Sequence, residues 1–138
     1  MIAEFTRTST TGFERDEDFV QIAKTNMPEL EFKQVETLAQ LPALDARFDL
    51  VFSFTVLQHV RDIAVNEVIE ELKRVACSTI LICEETDPTW RDSTTTGRSI
   101  NTYTELFKPF RLVYKSQRDQ EPNCPSKNPG HYMVFEKP

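Results

Sequence analysis

Between residues 48 and 83 the hydrophobic pattern changes period twice. Residues 48–54 (FDLVFSF) are apolar at nearly every position, as suits a strand covered on both faces. The apolar residues Ala64, Val65, Val68, Ile69, Leu72, Val75 and Ala76 then recur at intervals of three and four, with Asn66, Glu67, Glu70, Glu71, Lys73 and Arg74 opposite. That spacing predicts an amphipathic helix carrying Glu70 and Arg74 as a favourable i, i+4 pair. Residues 78–83 (STILIC) are again continuously apolar and predict a second strand, closed by Glu84 and Glu85. Strand, helix, strand is a βαβ unit, so the two strands are expected to be parallel with a right-handed crossover.

The flanks carry weaker periods. Residues 16–26 place Phe19, Val20, Ile22 and Ala23 among acids and lysine, a helix that Asp16 can cap and Pro28 stops. Residues 30–35 alternate as a short strand with one wet face, and residues 38–44 predict a helical turn interrupted by Pro42. After a polar loop at 86–97, residues 101–107 predict a short helix ended by Pro109. Residues 111–116 and 131–136 alternate as two strands. The polar segment between them, QRDQEPNCPSKNPG, holds no helix, so these strands are expected to be antiparallel neighbours at a sheet edge. The fold class is α/β: a doubly wound, mostly parallel sheet with an antiparallel C-terminal strand pair, in one domain over 1–138.

Composition narrows the function classes. With 39% hydrophobic and 28% charged residues in 138, the chain reads as a globular protein. Its apolar runs fall far short of the ~20 residues a membrane-spanning helix needs. The segment MIAEFTRTSTTG has no apolar core and no small-residue cleavage site, so a cytoplasmic location is expected. A net charge of −6 argues against nucleic acid as partner, although residues 108–138 hold six Lys or Arg against three acids. Cys77, Cys83 and Cys124 have unrelated spacings and only two histidines are present, so no structural metal site is expected. Cys77 and Cys83 read as small core residues, and Cys124 as a loop thiol.

The candidate chemistry gathers at residues 47–62, RFDLVFSFTVLQHVRD, where a strand runs into a helix start. In an open parallel sheet the crevice beyond the carboxyl end of such a strand is where ligands bind. His59 lies there and could take a proton from a hydroxyl or amine, or make a structural hydrogen bond at the helix end. Ser53 and Thr55 read equally as helix caps and as site lining. Asp49 reads as structural. Glu84 and Glu85 read as a solvated loop pair or an amine-binding pair, Trp90 and Tyr103 as packing residues or pocket walls, and His131 as structural.

The pattern Phe48-Asp49-Leu50-Val51-x-Ser53-x-x-Val56-Leu57-x-His59-Val60 resembles the fourth-strand motif of class I S-adenosylmethionine-dependent methyltransferases. Gly12-Phe13-Glu14 before an acidic helix resembles that family's second-strand end. Arg98-Ser99-Ile100-x-x-Tyr103-x-x-Leu106-Phe107 with Pro109-Phe110 resembles a segment of its small-molecule members. The resemblance implies that Glu14 holds the cofactor's ribose hydroxyls, that Glu36 and Thr37 face the adenine, and that Ser53, Phe54 and Thr55 line the floor beside the methionine and sulfonium. It implies methyl transfer to a small-molecule acceptor, with His59 as the candidate base.

One family feature has no counterpart here. The first strand and its glycine-rich loop are missing, for the three glycines, Gly12, Gly97 and Gly130, stand far apart. The chain therefore resembles a truncated member in which S-adenosylmethionine binding is expected to be weak. The lost strand belongs in the middle of the sheet, so exposed edges and association into a homo-oligomer or with a partner chain are expected, unless MIAEFTRTSTT supplies a makeshift strand. The alternative reading is a non-catalytic remnant acting as a structural or interaction module. A different α/β ligand-binding domain is disfavoured by the lack of a phosphate-binding loop.

Overall fold

The structure is a computed structural model that describes residues 9–118 and 130–138. MIAEFTRTSTT as a substitute strand lies largely outside the described residues, and Cys124 with most of the 117–130 connection lies outside them as well. The chain divides into two compact units, 1–42 and 43–138.

In the first unit, strands β1 (Thr11–Glu14) and β2 (Glu31–Gln34) pair in parallel, Glu14 opposite Gln34, around helix α1 (Glu17–Asn26). Asp16 caps α1 as its position predicts, accepting from the Asp18 and Phe19 amides at 2.9 and 3.4 Å. Glu17 and Asp18 complement the dipole of its first turn. Val20 and Val35 are buried here. Gly12 lies so close to the Phe32 ring that a Cβ would come within 2.6 Å of it.

The second unit holds a four-stranded sheet in the order β3-β4-β6-β5. Strands β3 (Phe48–Phe54) and β4 (Ala76–Glu84) are parallel, joined by helix α2 (Asp62–Val75). Helix α3 (Ile100–Leu106), capped by Ser99, precedes β5 (Arg111–Gln117) and β6 (His131–Glu136), each antiparallel to its neighbour. The βαβ unit and the antiparallel pair thus stand where the periodicity puts them, in a mixed α/β sheet. Val65, Val68, Ile69, Ile80, Ile82, Tyr103, Phe107, Met133 and Phe135 form its core, with the Phe107 and Phe135 rings stacked at 4.5 Å.

Several local expectations are corrected. Residues 38–44 contain turns but no helix, because Pro42 removes a donor and Thr37 Oγ1 accepts the Ala39 amide in a local turn instead. β3 is not covered on both faces. Val51 and Ser53 are buried on one face, while Leu50, Phe52 and Phe54 on the other are 42, 50 and 43% exposed; β3 also ends the sheet, with β4 its only ladder partner among the described residues. Cys77 is exposed and only Cys83 is a core residue. On α2 the ion pairs are Glu70 with Lys73 and Glu71 with Arg74, each at 2.6 Å and i, i+3, rather than Glu70 with Arg74. Arg74 turns away to Glu71, Asp45 and the Ala43 carbonyl. No helix among the described residues is long and apolar enough to cross a membrane.

Candidate functional site

Parallel pairing brings the carboxyl ends of β3 and β4 together, Phe54 opposite Cys83. Directly beyond, Thr55 adopts φ 54°, the left-handed region that β-branched residues rarely enter, and its amide donates to the Cys83 carbonyl at 2.8 Å. Such backbone positions persist only where the surroundings over-determine them, and they cluster at functional sites. A 3-10 turn, Leu57–His59, follows.

Two buried charged side chains hold this turn from opposite sides. Glu84, 1% exposed, accepts at Oε1 from the Ser53 hydroxyl (3.2 Å) and the Val56 and Leu57 amides (3.2 and 3.1 Å), and at Oε2 from the Gln58 amide (3.0 Å). Burial pushes its carboxyl above the ordinary carboxylate value, while the amides of Gln58, Leu57 and Val56 and the Ser53 hydroxyl pull the other way. Four donors satisfy a group that would otherwise be costly to bury. Arg98, 3% exposed, donates to the Leu57 carbonyl at 2.8 Å, to the Val60 carbonyl, and to Asp62 at 2.8 Å. Asp62 is held below the ordinary range by its hydrogen bond from Arg91 and, next, by Arg98. Beneath them the Tyr103 hydroxyl is buried, and burial with the nearby Glu84 charge raises it well above an ordinary phenol.

Glu84 and Glu85 are therefore not a solvated pair. Both are buried, Glu84 on the turn and Glu85 on the Asp87 amide at 2.9 Å. Nor do Ser53 and Thr55 cap a helix. Val56 and Arg61 precede the 3-10 turn and α2 with no side-chain cap, and Glu84 supplies the capping acceptor from the neighbouring strand. Tyr103 is core, and Trp90 donates its indole N–H to Asp92 at 3.2 Å within the 87–97 loop. Gly97 closes that loop, where a Cβ would sit 1.9 Å from the Asp87 carbonyl oxygen. His131 takes a structural place, its Nδ1 2.7 Å from the Thr86 hydroxyl.

Ser53 and Phe54 thus end β3, and Thr55 and His59 stand on the loop directly beyond it. Ser53 is buried on Glu84. Phe54 lies in an aromatic row with Phe52 and Tyr132 (centroids 6.3 and 6.4 Å away), with the Arg118 guanidinium 5.8 Å from its ring centroid. His59 is exposed, with Nδ1 2.8 Å from the Thr94 carbonyl. Within the first unit, Glu14 ends β1, and its Oε1 accepts from the Arg15 and Asp16 amides at 2.6 and 2.9 Å. Among the described residues no hydrogen bond is made at Oε2. Glu36 and Thr37 line an open hollow of about 310 Å³ beside Gln34, Val35 and Leu41. Among the described residues no group of three His, Cys, Asp or Glu is placed to hold a metal ion.

Residues 1–79 match the model of a family described as a methyltransferase domain. The chain belongs to that methyltransferase family. Solved structures agree on the fold. An S-adenosylmethionine-dependent methyltransferase from Methanosarcina mazei is similar at 19% identity and a TM-score of 0.78, over 94% of this chain and 82% of that one. One from Archaeoglobus fulgidus is similar at 11% identity and a TM-score of 0.76, over 99% and 79%. The [4+2]-cyclase SpnF is equally similar in shape, with 14% identity and a TM-score of 0.78 over 99% and 68%. No curated protein matches. This methyltransferase chain therefore has the class I fold, and the cyclase among its likenesses shows that the fold alone does not fix the reaction.

Proposed function

We propose that the chain is an S-adenosylmethionine-dependent methyltransferase domain acting on a small-molecule acceptor. The observation that carries this reading is the loop at the β3 carboxyl end. A buried carboxylate and a buried guanidinium fix its backbone, Ser53 and Phe54 end the strand before it, and Thr55 and His59 stand on it. Catalysis by positioning needs such a rigid frame. Glu14 is the ribose acceptor through Oε2, Glu36 and Thr37 flank the adenine, and Ser53, Phe54 and Thr55 line the methionine side. When bound, the cofactor supplies an electrophilic methyl group, and His59 takes the proton from the attacking hydroxyl or amine.

The sequence contains no closely spaced glycines to bring backbone amides onto the methionine carboxylate and amine. Binding by this chain alone is accordingly weak, and calorimetric titration with S-adenosylmethionine tests it. A second reading, an interaction module, is favoured by β3, which has a ladder partner on one side only among the described residues and exposes Leu50, Phe52 and Phe54. A second copy or a partner chain would cover that edge.

A further inference from the structure

His59 ends the turn Leu57–His59, whose three backbone amides all have partners. The Gln58 amide donates to Glu84, its carbonyl accepts from Thr96 at 2.8 Å, and its side-chain Oε1 accepts from the Glu85 amide at 3.1 Å. Because Oε1 is engaged by a donor, the Gln58 NH2 is the group that faces His59 Nε2, at 3.4 Å. At the other ring nitrogen stands the Thr94 carbonyl oxygen, 2.8 Å from Nδ1, and a carbonyl can only accept. Nδ1 must carry the ring proton, and Nε2 is the nitrogen with the lone pair. The Thr94 carbonyl is itself held. Asp92 accepts from the Thr94 and Thr95 amides at 2.8 and 2.7 Å, which closes the loop that presents it.

We propose that Glu84, Arg98 and Gln58 are positioning residues that lock His59 as its Nδ1-protonated tautomer, so that Nε2 is the atom that receives the acceptor's proton. The inference rests on the reading of His59 as the base and specifies which nitrogen acts and what orients it. In the step, the acceptor's lone pair forms the bond to the methyl carbon and the S–CH3 bond breaks with its pair left on sulfur. The acceptor's O–H or N–H proton passes to Nε2. Gln58 marks the approach, since 3.4 Å is long for a hydrogen bond and a closer hydroxyl would displace it. Neither Glu84 nor Arg98 touches the acceptor.

The test is a ligand-free measurement on the 15N-labelled chain, which has only two histidines. Long-range 1H–15N spectra are expected to show the neutral ring of His59 protonated at Nδ1 and bare at Nε2, opposite to the form a free histidine prefers in water. Glu84→Gln turns an NH2 group toward the turn's amides. It is expected to speed hydrogen exchange at Leu57 and Gln58 roughly ten- to a hundredfold and to shift the ring toward the free-histidine tautomer mixture. Glu71→Gln, which disturbs a buried carboxylate on α2, leaves both readouts at wild-type values. Should Glu84→Gln not fold, Gln58→Ala carries the same tautomer readout without touching a buried charge. A wild-type ring protonated at Nε2, or a folded Glu84→Gln or Gln58→Ala chain with an unchanged tautomer, overturns the proposal. Failure to bind cofactor would leave these spectra untouched and count only against the proposed function.

Discussion

Replacing Arg98 by Met keeps an unbranched apolar stem and removes every donor. The guanidinium donates to the Leu57 carbonyl at 2.8 Å and to the Val60 carbonyl, on a turn where Leu57 is fully buried. An acceptor stranded in that position costs about 1–3 kcal/mol, and the half-buried Val60 carbonyl recovers part of its loss from water. The link to Asp62 adds little, because Asp62 is 56% exposed and exposed pairs contribute about 0–1 kcal/mol. A loss of about 2–4 kcal/mol follows, a large share of the ~5–15 kcal/mol that stabilises a typical domain. Urea unfolding measures it as a lower midpoint at unchanged slope. Arg91→Met is the control, since it removes only the exposed contact to Asp62 at 2.9 Å and is expected to leave the midpoint nearly in place. If Arg98→Met unfolds at the wild-type midpoint, Arg98 does not hold the turn.

Three further outcomes are expected. Backbone amides of Thr94 and Thr95 hold the Asp92 carboxyl down at about 2. A depressed carboxylate contributes above its ordinary value and loses that contribution as pH falls through its folded value. The 92–95 loop should therefore stay closed at pH 4 and open toward pH 2, and an amide-shift titration of Thr94 with its midpoint near 4 would contradict this. Glu14→Ala should weaken S-adenosylmethionine binding by about 1.5–3 kcal/mol, and an unchanged titration would remove Glu14 from the site. Light scattering should find an assembly that Phe52→Lys weakens, while a monodisperse monomer at high concentration would show that the β3 edge recruits nothing.

Much of this fold can be read from pattern. The apolar run at 48–54, the three- and four-residue spacing of α2 and the alternation at 131–136 each carry their own period, and each element forms where that period places it. What stayed hidden depends on partners far away in sequence. Glu84 and Glu85 look solvated because two acids end a strand. Only the pairing of β3 with β4 reveals that the first of them caps a turn 26 to 28 residues earlier. The one available signal was position, an acid directly after six residues of continuous strand. Arg98 gave none, for its partners Leu57, Val60 and Asp62 lie 36 to 41 residues away. The open face of β3 was also illegible, since an unbroken apolar run does not tell a central strand from an edge strand that exposes Phe52 and Phe54.

The central proposal is that Glu14, Glu36 and Thr37 of this methyltransferase chain serve the ribose and adenine of the cofactor, while the sequence offers no closely spaced glycines to anchor its methionine end. Each lost charge-assisted hydrogen bond costs about 1.5–3 kcal/mol, and each ~1.4 kcal/mol is tenfold in affinity, so two or three losses turn a micromolar site into a millimolar one. Titration of the purified chain with S-adenosylmethionine, read by calorimetry, measures this directly. We expect a dissociation constant of about a millimolar or weaker. Micromolar binding would contradict the claim and show that other residues of this chain hold the methionine end.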